Sequence, residues 1–249
     1  MSLAFLSPDL AEPQGSFTPV RQSNIEAALV ASGAQIEERD GWRVAVNYGD
    51  AAAEKQACQQ SVGIAELSSL GIIELLASPP VVQAITTEIA GNPAKLGTAF
   101  FAADAWWWTV KPDRVLAVTA PTDTAAMRAR LEAAADARSE LVSVTDLTSV
   151  LTTFSVSGPL ARETFARITA LDLREREFPL HGFQPGSIGR VPGLLLRQSD
   201  DSFLHSFGAA SAEYMWTSMI DAAEQLGGRA VGIDALGPLG GALEGSENA

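Results

Sequence analysis

The sequence predicts an α+β fold built mostly from antiparallel sheets, and three observations carry that reading. Short runs of alternating or wholly apolar residues recur along the chain and read as strands. Single helices are scattered among them instead of alternating regularly with parallel strands. The second half runs strand, helix, strand, strand, helix, a ferredoxin-like split βαβ order. The 249 residues, 47% of them hydrophobic, are enough for one large domain or two modest ones with a sizeable core.

Residues 1–22, with three prolines, Gly15 and no clear period, read as an irregular N-terminal arm. A first α+β unit spans 23–140. It opens with the helix "SNIEAALVASGA" (23–34), where Ser23 can cap and Gly33 can stop the helix. "WRVAVNYG" (42–49) alternates as a strand, and "AAAEKQACQQSV" (51–62) is helical. "GIAELSSLGIIELLA" (63–77) reads as two strands or one bent strand. "PPVVQAITTEIA" is a helix with its prolines at the tolerated start. "AWWWTV" and "RVLAVTA" form a hairpin around "KPD". "TDTAAMRARLEAAADA" (122–137) is the clearest helix, with Thr122 or Asp123 as its cap and Met127 and Leu131 four apart.

A second α+β unit spans 141–236. "LVSVTDL" and "LTTFSVSG" are strands, and the helix "GPLARETFARITA" follows. "PGLLLRQSD" and "SFLHSF" are strands around an acidic turn. "SAEYMWTSMIDAAEQLGG" is a helix ended by glycines, and 237–249 read as a flexible Gly-rich tail.

Lys plus Arg number 17 and Asp plus Glu 30, giving a net charge of −13. That balance excludes a nucleic-acid-binding face and docking on anionic membranes. Cys58 is the one cysteine, so neither an internal disulfide nor a cysteine zinc site is available, and the two histidines do not suggest a metal centre. The start lacks a basic secretory segment and no stretch approaches a membrane span, so the expected location is cytoplasmic. Dinucleotide, P-loop and nucleophile-elbow motifs are absent.

The stretch from Ala28 to Leu75 resembles the opening of the aminomethyltransferase, or T protein, of the glycine cleavage system. That family shows a helix, a "GW-x-x-P-V-x-YG" strand, a helix, then "G-[VI]-x-[DE]-[LV]-S-x-[LM]-G". Gly41, Trp42, Val46, Tyr48 and Gly49 match the first motif, and Gly63, Ile64, Glu66, Leu67, Ser68, Leu70 and Gly71 the second. Residues 144–173 resemble the family's strand–"GP"–helix joint, and 212–236 its "A-x-x-[LM]-W" helix. The second half is also similar to the gamma subunit of heterotetrameric sarcosine oxidase: "DL" then "FP", a Pro-Gly turn, an apolar strand ending in Arg, "D-x-F" and a Trp-bearing helix.

The resemblance implies a T-protein-like pair of mixed and antiparallel sheets with helices, lacking the C-terminal barrel domain. It implies an aminomethyltransferase-like role in one-carbon metabolism with tetrahydrofolate as cofactor and a degenerate catalytic site. Its alternative is a non-catalytic subunit that supports a partner oxidoreductase. The family's catalytic acid falls at Phe101 and Ala102; Asp104, two residues on, could replace it only if the strand slips or bulges. Trp106 and Trp107 border the family's folate hole. A family asparagine falls on Val118, with Thr119 beside it, and two further polar contacts fall on Leu204 and Leu236.

The residues themselves leave alternatives open. The tryptophan triplet 106–108 is a ligand-stacking face, a partner or self-association surface, or plain core. Arg197 is a strand-end ion pair with Asp200 or Asp201, or an anion clamp for a folate tail. His205 is a core or surface histidine, or a functional one.

Overall fold

The computed structural model describes residues 20–236. In chain order it forms β1 (Arg21–Gln22), α1 (Glu26–Ala31), β2 (Gln35–Arg39), β3 (Trp42–Asn47), α2 (Ala51–Gln60), β4 (Gly63–Glu66), β5 (Gly71–Ala77) and α3 (Pro79–Ala90). Then come β6 (Ala99–Ala102), β7 (Ala105–Lys111), β8 (Arg114–Thr119), α4 (Thr124–Asp136), β9 (Val142–Asp146), β10 (Leu151–Ser157) and α5 (Ala161–Ala166). The chain continues through β11 (Phe183–Ile188), β12 (Val191–Ser199), β13 (Ser202–Gly208), α6 (Ala212–Glu224) and β14 (Arg229–Ala230).

A five-stranded sheet has the order β6-β7-β8-β5-β9 and a six-stranded sheet the order β11-β12-β13-β10-β4-β14. A small third sheet, β1-β3-β2, packs beside them. The result is four layers. Helices α3 and α4 cover the outer face of the five-stranded sheet, where Val82, Ile85, Met127 and Leu131 meet Ile73, Leu75 and Val115. Helices α5 and α6 cover the outer face of the six-stranded sheet, where Phe165, Met215 and Trp216 meet Phe154, Phe203 and Phe207. The two inner faces meet in a shared core that joins Ile72, Leu116 and Val118 to Leu67, Leu196 and Leu204, with Trp42, Val44 and Val46 of β3 at its side. Each helix therefore needs one apolar stripe, while each large sheet is apolar on both faces.

The sheets do not divide at residue 141. Strand β4, from the first half, pairs with β10, and β9, from the second half, pairs with β5. A bridge between Thr98 and Gly182, flanked by the bonds Ala99 N–H to His181 O and Phe183 N–H to Gly97 O, ties the edge of one large sheet to the edge of the other.

Several local expectations change. Ser23 does not cap the first helix; its hydroxyl donates to the buried Glu66 carboxylate at 3.0 Å, and the helix begins at Glu26. Neither Thr122 nor Asp123 bonds the start of α4, because 121–123 coil into a 3₁₀ turn that leads into it. Residues 21–22 of the arm are strand; its first nineteen residues and the tail from 237 lie outside the described residues. Strands β2, β6, β11 and β14 add to those read from sequence.

Candidate functional site

Strands β6 and β7 are joined by Ala103 and Asp104, with φ 54° and 61°. Two consecutive positive φ values make the tight hairpin turn whose twist matches that of the strands it joins. Asp104 sits at its exposed tip, with no slip or bulge in the β6–β7 register to carry it onto the face of Ala102. The register pairs Phe100 with Trp107 and Phe101 with Trp106.

Alternation then sends Trp106 and Trp108 inward and Trp107 outward. All three are fully buried. Trp107 lies under α3 and α4, stacked 6.3 Å from Phe100, and its Nε1 donates to Ala102 O at 3.0 Å. Trp106 and Trp108 lie in the layer between the sheets, edge-on to His181 at 5.1 Å and tilted to Phe183 at 5.5 Å. The triplet offers no free aromatic face, because both faces of its sheet are covered. Trp108 Nε1 is a buried donor with no acceptor.

Thr119, also buried, points to the helix side, where its hydroxyl lies 3.2 Å from Thr124 Oγ1 at the start of α4. His205 is buried on the outer face of the six-stranded sheet, between Phe165 and Phe207, and neither ring nitrogen has a partner. Burial pushes its pKa down to about 3 and holds it neutral.

Arg197 is buried at the end of β12. Its Nη2 donates to Asp200 Oδ1 at 2.9 Å and lies 3.6 Å from Glu175, and its Nη1 donates to Phe178 O at 3.3 Å. The ion-pair alternative is the arrangement present. Arg197 lines a cleft of about 300 Å³ with Arg162, Glu163, Glu175, Asp200 and Asp201.

The structure thus scatters the six candidate residues. Asp104 is at a hairpin tip, Trp106 is in the inter-sheet layer, Trp107 and Thr119 are under α3 and α4, and His205 and Arg197 are on the far face of the other sheet. Of the six, only Arg197 lines the cleft of about 300 Å³.

Two buried carboxylates lie outside the six candidates, although Glu66 stands in the matched motif. Glu54 of α2 accepts the Tyr48 N–H at 2.6 Å and the Gly232 N–H at 2.8 Å. Glu66 of β4 accepts from the Ser23 hydroxyl and the Ser68 N–H, each at 3.0 Å. Burial raises the Glu66 pKa, and the bonds from Ser68 and Ser23 oppose that shift. The motif match that includes Glu66 was the available signal for it; Glu54, on an ordinary polar helix, had none. Glu54 binds two backbone amides, Glu66 one amide and one hydroxyl, and neither lines the Arg197 cleft. Among the described residues no group of three or more His, Cys, Asp or Glu is placed to hold a metal ion, and no helix is long and apolar enough to cross a membrane.

The GCVT N-terminal domain family matches residues 25–239. An aminomethyltransferase of Koribacter versatilis (strain Ellin345) is 23% identical over 242 aligned positions, a match that covers 88% of this chain. The chain spans 62% of the length of that relative. Among solved structures, glycine cleavage system aminomethyltransferase T of Bartonella henselae is similar with a TM-score of 0.73 at 15% identity, over 87% of this chain and 60% of that one. A chain of the heterotetrameric sarcosine oxidase of Corynebacterium sp. U-96 is similar with a TM-score of 0.61 at 23% identity, over 71% of this chain and 92% of that one.

Proposed function

The chain belongs to the GCVT N-terminal domain family, and from that premise we propose that it is a non-catalytic member that serves as a subunit of an oxidoreductase assembly. One observation carries the reading. Trp106, Val118 and Leu204, three of the positions where the family resemblance puts folate contacts, lie in a packed hydrocarbon core between the sheets.

Tetrahydrofolate needs hydrogen-bond partners for its pterin ring and an acid near its reactive nitrogen. The residues of the inter-sheet layer do not fit it. Leu67, Leu116, Val118, Leu196 and Leu204 fill the space between the sheets, each fully buried. The positions the resemblance assigns to polar contacts are hydrocarbon at Val118, Leu204 and Leu236. Trp108 Nε1 is one unpartnered donor on that layer, and one donor does not satisfy a pterin edge. Each missing bond costs about 1–3 kcal/mol, so a few missing bonds lower affinity about a thousandfold or more. Asp104, the one acid near the family's position, points into solvent on a turn.

The subunit half of the reading is supported by extent. The similarity to the sarcosine oxidase chain runs over 92% of that chain.

Two measurements test it. Titrating tetrahydrofolate while following tryptophan fluorescence is expected to show no saturable quenching at high micromolar ligand, since Trp106 and Trp108 would report a neighbouring pterin. Saturable quenching removes the non-catalytic reading. Native mass spectrometry of the tagged protein purified from its own cells is expected to show a fixed-stoichiometry complex with a flavin-bearing chain. A bare monomer removes the subunit reading.

A further inference from the structure

We propose that the cleft over Arg197 binds a small dibasic amino acid, a ligand with one carboxylate and two cationic groups. The proposal does not depend on the subunit reading, because the cleft is lined by α5 and the β12–β13 end, on the other side of the six-stranded sheet from the inter-sheet layer.

The argument starts from an asymmetry. The Arg197 side chain is 3% exposed, while its two carboxylate partners, Glu175 and Asp200, are 78% and 81% exposed. A buried guanidinium must keep an anion, since leaving it unpaired is costly. The anion itself need not be the protein's own. Asp200 stands on the turn between β12 and β13, and an exposed carboxylate released to water loses little. A ligand carboxylate can therefore take the place of Asp200 at nearly constant charge. Arg197 Nε, itself buried, is a further donor without an acceptor.

The rest of the cleft selects what accompanies that carboxylate. Its lining holds four carboxylates, Glu163, Glu175, Asp200 and Asp201, against two guanidiniums, Arg162 and Arg197. Arg162 is committed to the Leu173 carbonyl. Glu163 and Asp201 form no side-chain ion pair among the described residues. Once Asp200 is displaced, three acids without a fixed cation, together with Glu175, surround the opening. That charge favours a ligand with net positive charge. The acids are not clustered closely enough to hold a metal ion, so the complementary groups are organic ammonium or guanidinium groups. A volume of about 300 Å³ accommodates an amino acid and is at the lower limit of ligand pockets.

The test uses the intact chain labelled with nitrogen-15, and follows the Arg197 Nε–H resonance at low ionic strength. The probes are free L-lysine, acetate and methylammonium. L-lysine is expected to shift that resonance saturably in the millimolar range or below, and each single-function probe to bind at least about tenfold more weakly, because each supplies only half of the complementary charge. Replacing the exposed acids, Asp201→Asn and Glu163→Gln, is expected to weaken L-lysine about threefold each without unfolding the protein. Asp200→Asn removes the internal competitor and is expected to strengthen the acetate response. Absence of a saturable shift with L-lysine overturns the proposal. So does an equal response to methylammonium, which would mean ordinary screening by an acidic surface.

Discussion

The Gly232 N–H donates to Glu54 Oε2 at 2.8 Å across 178 residues of sequence, and the Tyr48 N–H donates to the other oxygen of the same carboxylate at 2.6 Å. One buried side chain thus ties helix α2 to the end of β3 and to the last described turn. Glu54→Ala leaves both amides without an acceptor in a dry site, and is expected to cost about 2–5 kcal/mol. Glu54→Gln keeps one acceptor and should cost less. The urea midpoint at constant slope measures both.

Gly232 is also the tightest backbone contact in the fold's C-terminal segment. An added Cβ there would come within 2.0 Å of the Val46 carbonyl oxygen, which is backbone and cannot rotate away. Gly232→Ala is expected to abolish cooperative unfolding. Gly91, the left-handed residue that ends α3, has φ 73° and open space around it. Gly91→Ala is expected to cost about 1 kcal/mol, the backbone penalty alone. Equal effects of the two would contradict the contact argument.

All five tryptophans are buried in the folded chain. Native emission is expected to be blue-shifted and insensitive to iodide, and to become quenchable on unfolding. Trp107→Ala opens a cavity between the five-stranded sheet and α3 and α4, with an expected loss of about 3–5 kcal/mol. Ready iodide quenching of the native protein would mean that the sheet faces are not covered as described.

His205 makes stability depend on pH. Its folded pKa is pushed from 6.5 down to about 3. Above 6.5 both states are neutral and the residue contributes no pH dependence. Between 6.5 and 3 the unfolded chain binds a proton that the folded chain does not, so stability falls as pH falls, by at most about 1.4 kcal/mol per pH unit. Glu66, whose folded pKa is raised by burial, acts oppositely: stability is greatest below its unfolded pKa and falls as pH rises through the folded value. His205→Leu should flatten the acid limb between pH 6 and 5. It should leave neutral-pH stability unchanged or higher, because it replaces two unpartnered nitrogens with hydrocarbon. An unchanged acid limb in His205→Leu would contradict the assignment.

Elements whose signals are local were legible. The hairpin around Pro112 and the helices α3 and α4 follow from turn chemistry, tolerated prolines and apolar spacing. The missed strands had signals that pointed elsewhere. β11 contains Pro185 and Gly186, which argue against a strand, yet it lies at a sheet edge where a missing donor costs little. The β6–β7 turn uses Ala103 and Asp104 at positive φ, with no glycine to announce it. The candidate site was less legible than the fold. Burial of Arg197 and the isolation of His205 depend on which helices cover the outer face of the six-stranded sheet, and no spacing within β12 or β13 encodes that.

By itself the sequence determined that Trp107 points opposite to Trp106 and Trp108, because a strand's two-residue period is a property of the backbone. It also determined that hydrocarbon stands where the family it resembles carries polar groups. Only the tertiary structure decided what covers each tryptophan, and which acids gather around Arg197. Those are contacts between segments far apart in the chain, selected by how whole layers bury their apolar faces together, so no local pattern could carry them.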